Sequence, residues 1–221
     1  MHTSELKVLS GSALKMIAIV TMTLDHVGYA LAGPGASMTL RIAGRLAFPL
    51  YAFLLSEGYI HTRNLSRYAL SLFLLAIISE VPYDLLFNRE AFHPGQQNIM
   101  FTLLLGLCAI HIWDVSGREW IWKTLCCIII IFLGWVLNVD YGSYGVALPL
   151  VFHILNNRKP WDAAAGAALS AATGNIHQAA AAIPIMLYNG QRGFIKGKLK
   201  WAFYAYYPVH ICIILLLNTF L

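Results

Sequence analysis

Residues 67 to 87 read RYALSLFLLAIISEVPYDLLF. Between positions 69 and 79 only Ser71 and Ser79 interrupt the apolar run. At about 1.5 Å of rise per residue, a helix of this length reaches about 30 Å, the thickness of a bilayer's hydrocarbon. The stretch therefore predicts a transmembrane helix with Glu80 and Asp84 close to one end. Working outward, the same pattern recurs at 13 to 32, 38 to 60, 99 to 113, 120 to 137, 143 to 156, 161 to 173, 177 to 188 and 201 to 221. Turn chemistry separates these runs: Gly33-Pro34-Gly35, Pro94-Gly95, Asp140-Tyr141-Gly142, Asn156-Asn157 before Pro160, and Thr173-Gly174-Asn175. The expectation is an all-α polytopic membrane protein, one bundle of about nine helices over residues 1–221. The runs at 161 to 173 and 177 to 188 are short and Ala-rich, so two half-helices meeting at Gly174-Asn175 would leave eight crossings.

Composition agrees. Of 221 residues, 59% are hydrophobic and 11% charged, less than half the roughly 25% charge of a soluble domain. The net charge is +5. With the N-terminus placed in the cytoplasm, inner segments hold Lys7, Lys15, Arg63, Arg67, Arg118, Lys123, Arg158, Lys159, Arg192, Lys196, Lys198 and Lys200, twelve of the fifteen basic residues. This is the positive-inside distribution, so the basic balance calls for no nucleic-acid partner. Outside lies Arg89, while Arg41 and Arg45 fall within the second run. The first run contains Asp25 and His26 and has no clear cleavage site, so it reads as a retained helix. Cys108, Cys126, Cys127 and Cys212 sit in apolar runs and read as core residues.

An ionisable side chain in hydrocarbon costs at least roughly 2.5 to 3.5 kcal/mol on insertion scales, so each needs a partner, a wet cavity or a task. At the predicted outer depth lie Asp25, His26, Arg41, Arg45, Glu80, Asp84, Asp140, Asn175 and His177. Arg41 and Arg45 share a helical face, as do Glu80 and Asp84 around Pro82. Asp25 and His26 point about 100 degrees apart, so Asp25 is expected to engage an arginine while His26 faces a cavity. A set of salt bridges locking three helices is the structural alternative. His26 is the natural proton acceptor near neutral pH.

A second set, Glu57, Tyr59, His61 and Arg63, lies at the inner end of the second run. Glu57 and His61 share a face and either hold each other or read a group entering from the cytoplasm. Pro49 is positioned to kink the run between the two sets. His111 and His153 read as hydrogen-bonded core residues. His210 follows Tyr206-Tyr207-Pro208, where a proline can free a carbonyl to line a cavity. No zinc spacing, nucleophile elbow or phosphate loop occurs, so no metal is expected.

Several stretches resemble the TraX family of bacterial membrane proteins. They are Ser10-Gly11 to Leu14-Lys15-Met16-Ile17-Ala18 running into Asp25-His26-Val27-Gly28; Arg41 to Pro49, then Phe53 to Asn64; Ser79-Glu80-Val81-Pro82-Tyr83-Asp84-Leu85; Gln97 to Gly106; and Phe203-Tyr204 to Tyr207-Pro208-Val209-His210. The likeness covers nearly the whole chain, with residues 110 to 200 matched mainly by hydropathy. It implies an acyltransferase of the bacterial inner membrane, since the family is associated with acetylation of conjugative pilin and is similar to membrane acyltransferases that use cytoplasmic acyl-CoA. The acceptor does not transfer with the fold.

Moving an acetyl group from a thioester to an amine or hydroxyl requires a base and an oxyanion stabiliser. His26, beside Asp25, fits the first. Arg41 or Arg45, held by Asp25 or by Glu80 and Asp84, fits the second or binds an acidic acceptor, with Gln97 and Asn98 as neutral donors. Acetyl-CoA, as donor substrate, is expected to enter past Glu57, His61, Arg63 and His210 toward a peptide, pilin or glycan acceptor arriving from outside. Two rival classes are a small transporter or proton-coupled channel, although no internal repeat is seen, and an accessory scaffold of an envelope assembly.

Overall fold

The computed structural model describes residues 8–115, 119–156, 161–174, 176–195, 197 and 199–220, with Lys200 described by its backbone only. Lys7, Arg118, Asn157, Arg158, Lys159, Pro160, Asn175, Lys196 and Lys198 lie outside the described residues, as does the Lys200 side chain. Ten α-helices and one 3₁₀ turn follow one another, with no strand among the described residues. In order they are α1 (Gly11–Ala30), α2 (Pro34–Gly44), α3 (Ala47–His61), α4 (Leu65–Phe87), α5 (Ile99–Val115), α6 (Trp120–Val136), α7 (Gly142–Ile154), α8 (Trp161–Ala172), the 3₁₀ turn Ile176–Ala181, α9 (Ala182–Met186) and α10 (Leu199–Asn218). Three segments combine the length and apolarity of a membrane crossing: Pro34–His61, which is α2 and α3 together, Leu65–Phe87 and Trp201–Asn218. The chain is an all-helical membrane protein.

The second run and the Ala-rich stretch both divide, the latter as one of its two alternatives expected. The second run is not one helix: it breaks at Arg45 and Leu46, upstream of Pro49. The cause is the proline itself, whose missing N–H and bulky ring act on the carbonyl four residues earlier, that of Arg45. Pro49 then sits in the first turn of α3, where no N–H is needed. The Ala-rich stretch likewise forms short pieces. α8 has 12 residues, about 18 Å of helix, and Gly174 at φ 82° turns the chain before the 3₁₀ turn. By length, neither piece is a complete crossing.

One core gathers Leu14, Phe48, Leu50, Phe53, Leu107 and Phe152 between α1, α3, α5 and α7. A second packs Met22 of α1, Leu86 of α4 and Tyr207 and Ile211 of α10. The chain after α9 returns to clasp the start of α1. Gly11 N donates to the Gln191 carbonyl (2.7 Å), Ser12 N to that of Arg192 (3.0 Å), and Ile195 N to Ser12 Oγ (2.8 Å). These bonds satisfy N–H groups a helix terminus otherwise leaves open, and they start α10 beside α1.

At the other end of α1, glycines set the contact with α2. A Cβ on Gly44 would lie 2.7 Å from Asp25 Cα and 2.8 Å from its backbone N, and one on Gly28 would lie 2.8 Å from Leu40 Cβ. Gly44→Val is expected to lower stability by about 1–3 kcal/mol, the usual cost of overpacking. Gly35→Ala, which faces open space, should be neutral or slightly stabilising. Thermal unfolding in detergent, compared with wild type, checks both.

Candidate functional site

The polar residues separate into two groups at opposite ends of the bundle. At the end where α1 finishes, the close approach at Gly44 sets Asp25 against the last turn of α2. Asp25 Oδ1 lies 4.0 Å from Arg41 Nε, and neither atom has a hydrogen-bond partner. The Arg41 guanidinium also lies over the Tyr29 ring, 5.4 Å from its centroid, a cation–π contact. Arg45, at the helix break, is enclosed differently: it lies within electrostatic reach of the Tyr141 side chain and of the Asp140 and Asp25 carboxylates. Tyr141 opens α7 in the left-handed region at φ 63° and stacks on Phe48 with centroids 4.1 Å apart. Asp25 thus engages the arginines as expected, and Asp140 joins them.

His26 is buried beside this cluster, one residue on and turned away from it. Its Nδ1 lies 2.7 Å from Nε2 of His210, in rings only 6° from parallel. Phe87 makes an edge-to-face contact with the His26 ring. His210 Nδ1 in turn lies 2.8 Å from the Tyr206 carbonyl. His26 is therefore paired, and 9% of its surface remains exposed. His210, expected along an inner path with Glu57 and His61, stands instead against His26.

Glu80 and Asp84 do not hold the arginines. Glu80 accepts from the backbone N–H and side-chain amide of Asn98. Fully buried Asp84 accepts from His93 N (2.7 Å) and Asn88 Nδ2 (3.2 Å). Both carboxylates fasten the 88–98 loop over the end of α4, which is a structural task. Asn98 also donates to the Ala76 carbonyl (2.8 Å). Gln97 donates to the Pro94 carbonyl (3.2 Å) and lines a crevice of about 540 Å³ with Phe101, Leu104 and Val136, away from the histidines.

At the opposite end, Glu57 accepts from the Tyr188 hydroxyl (2.8 Å), while His61 Nδ1 lies 2.8 Å from the Glu57 backbone carbonyl. The two side chains therefore do not hold each other. Arg63 is exposed there. His153 pairs with Asp114 at 2.9 Å, and Tyr59 packs edge-on against His153. His177, expected at the outer depth, is exposed. Among the described residues no group of three metal-ligating side chains is arranged to hold an ion.

These residues and helices define a class: a helical membrane protein with a polar site of imidazoles, guanidiniums and carboxylates at one end of the bundle. The family model described as TraX protein matches residues 10–218, and the chain belongs to the TraX family. It is 30% identical to "Probable fimbrial assembly protein FimC, serogroup H1" of Dichelobacter nodosus, over 96% of this chain and 97% of that one. It is 24% identical to "Uncharacterized protein RP591" of Rickettsia prowazekii (strain Madrid E), over 66% of this chain and 56% of the relative. No solved structure matches.

Burial raises the Asp140 carboxyl to about 7, against the opposing pull of the Tyr141 backbone N–H and the Arg45 guanidinium. Between about pH 4 and 7 the unfolded chain has lost this proton while the folded one retains it. Stability contributed by this group should therefore fall as pH rises through that window and level off above it. Asp140→Asn should remove that slope; melting temperatures of both proteins from pH 4.5 to 7.5 provide the check.

Proposed function

We propose that the protein is a membrane-embedded acyltransferase that moves an acetyl group from cytoplasmic acyl-CoA to an amine or hydroxyl. The observation that carries this reading is a buried imidazole, His26, next in sequence to the Asp25 that faces Arg41, in a chain of the TraX family. In the proposed step the acceptor's N–H or O–H proton passes to His26 as the acceptor forms its bond to the acyl carbon. The carbonyl oxygen gathers negative charge, the carbon–sulfur bond breaks, and the departing thiolate takes the proton back. Of the two arginines, Arg41 is the better oxyanion donor, because its Nε has no hydrogen-bond partner while Arg45 is held by Tyr141.

The acceptor fits a peptide or glycan of fimbrial assembly, following the name of the Dichelobacter relative. A multi-pass inner-membrane topology with a cytoplasmic N-terminus is part of the proposal. It is supported by the distribution of basic residues and by α6, whose exposed apolar face carries Trp120 and Trp122 at one end and Trp135 at the other. Acyl-CoA then enters at the end bearing Glu57, His61 and Arg63, and the acceptor meets it at His26.

Purified protein in detergent, given labelled acetyl-CoA, should bind it and transfer or hydrolyse its acetyl group. His26→Ala should lower that rate by about 10² to 10⁴-fold; an unchanged rate rules out the assigned base. Arg41→Lys should reduce the rate with little change in melting temperature, whereas Arg45→Met should lower the melting temperature itself.

A further inference from the structure

Outside the arginine cluster, α10 and α4 converge on His26, and the hydrogen bonds there permit only one arrangement of protons for neutral imidazoles. The Tyr206 carbonyl can only accept, so His210 Nδ1, 2.8 Å away, carries its ring proton. A neutral imidazole holds one proton, so His210 Nε2 is a lone pair. His26 Nδ1, 2.7 Å from that lone pair, must then be the donor. The remaining nitrogen, His26 Nε2, is left unprotonated, and it has no hydrogen-bond partner among the described residues. We infer that His210, backed by the Tyr206 carbonyl, is the positioning residue that fixes His26 as its Nδ1–H tautomer and leaves Nε2 as the proton-accepting atom. This rests on the acyltransferase reading for its catalytic meaning.

The surroundings hold the pair in register. Thr23 donates to the Ile19 carbonyl (2.8 Å), so the Tyr206 hydroxyl, 2.7 Å from Thr23 Oγ1, is the donor there. This bond pins α10 to α1 one turn below the histidines. Tyr206 also lies parallel to His210 with ring centroids 4.9 Å apart. Phe87 packs against the His26 ring with centroids 5.4 Å apart. The Asp25 carboxylate, next in sequence, faces Arg41 rather than the imidazole, so the group that orients His26 is a second histidine. When Nε2 accepts the substrate proton, the resulting imidazolium keeps its Nδ1–H directed at the His210 lone pair. Charge is then spread over two rings and a carbonyl, and no further proton need leave the site.

The test separates the pairing from the reaction. In protein with ¹⁵N-labelled histidine rings, the His26 signals are identified by their loss in His26→Gln. Wild type is expected to show His26 protonated at Nδ1 and bare at Nε2. In His210→Leu, His26 should shift toward the Nε2–H form and acetyl transfer should fall on the order of 10²-fold. His210→Gln, whose amide oxygen can accept where Nε2 stood, should restore the Nδ1–H form and a substantial part of the rate. A wild-type His26 protonated at Nε2, or an unchanged tautomer in His210→Leu even with a reduced rate, overturns the inference. Wild type with the expected tautomer but no reaction with acetyl-CoA would defeat the acyltransferase reading and leave the pairing in place.

Discussion

Gly44 has no side chain, and so the end of α2 can lie directly on the backbone of α1 at Asp25. A methyl group at that point would overlap the Asp25 Cα and N. The contact determines which charges meet. It lays Arg41 within ion-pair reach of Asp25 and leaves Arg45 at the break before α3, turned toward Tyr141 and Asp140. Pro49 completes the device by withholding an N–H from the Arg45 carbonyl, so the helix ends where the guanidinium must leave it.

The second constraint is the clasp at the opposite end of α1. Backbone carbonyls of Gln191 and Arg192 occupy the first N–H groups of the helix, which starts α10 alongside it. Two helices parallel from that origin bring Tyr206 to Thr23 and His210 to His26, each pair one turn apart from the other. Helix ends thus do the positioning, and the apolar cores between them carry rigidity. Glu80 and Asp84 serve the same purpose for α4, holding the 88–98 loop through Asn98, Asn88 and His93.

Much of this was legible in the residues. Apolar runs located nearly all the helices, because a membrane helix must satisfy its own backbone and present an apolar exterior. The cost of burying charge singled out Asp25, His26, Arg41 and Arg45, in a wider set with Glu80, Asp84, Asp140, Asn175 and His177. Helical phase predicted that Asp25 and His26 would point apart, Asp25 to an arginine and His26 into a cavity; they do point apart, but His26 is packed against His210 and Phe87 instead. Less visible was the break at Arg45: Pro49 was recognised as a disruption, but its effect falls on the carbonyl four residues earlier. Glu80 and Asp84 looked like counterions because opposite charges on neighbouring helices usually pair, yet a nearby loop supplied backbone and amide donors at closer range.

The helical character of the chain, its affinity for the bilayer and the short list of polar residues at each depth follow from composition and period alone, since those are properties of single segments in their solvent. Pairing is different. His26 and His210 are separated by 184 positions, and nothing in either segment specifies the other. Their meeting depends on the carbonyl clasp that starts α10 beside α1, and the proton positions in the pair follow only once the Tyr206 carbonyl is known to stand behind His210.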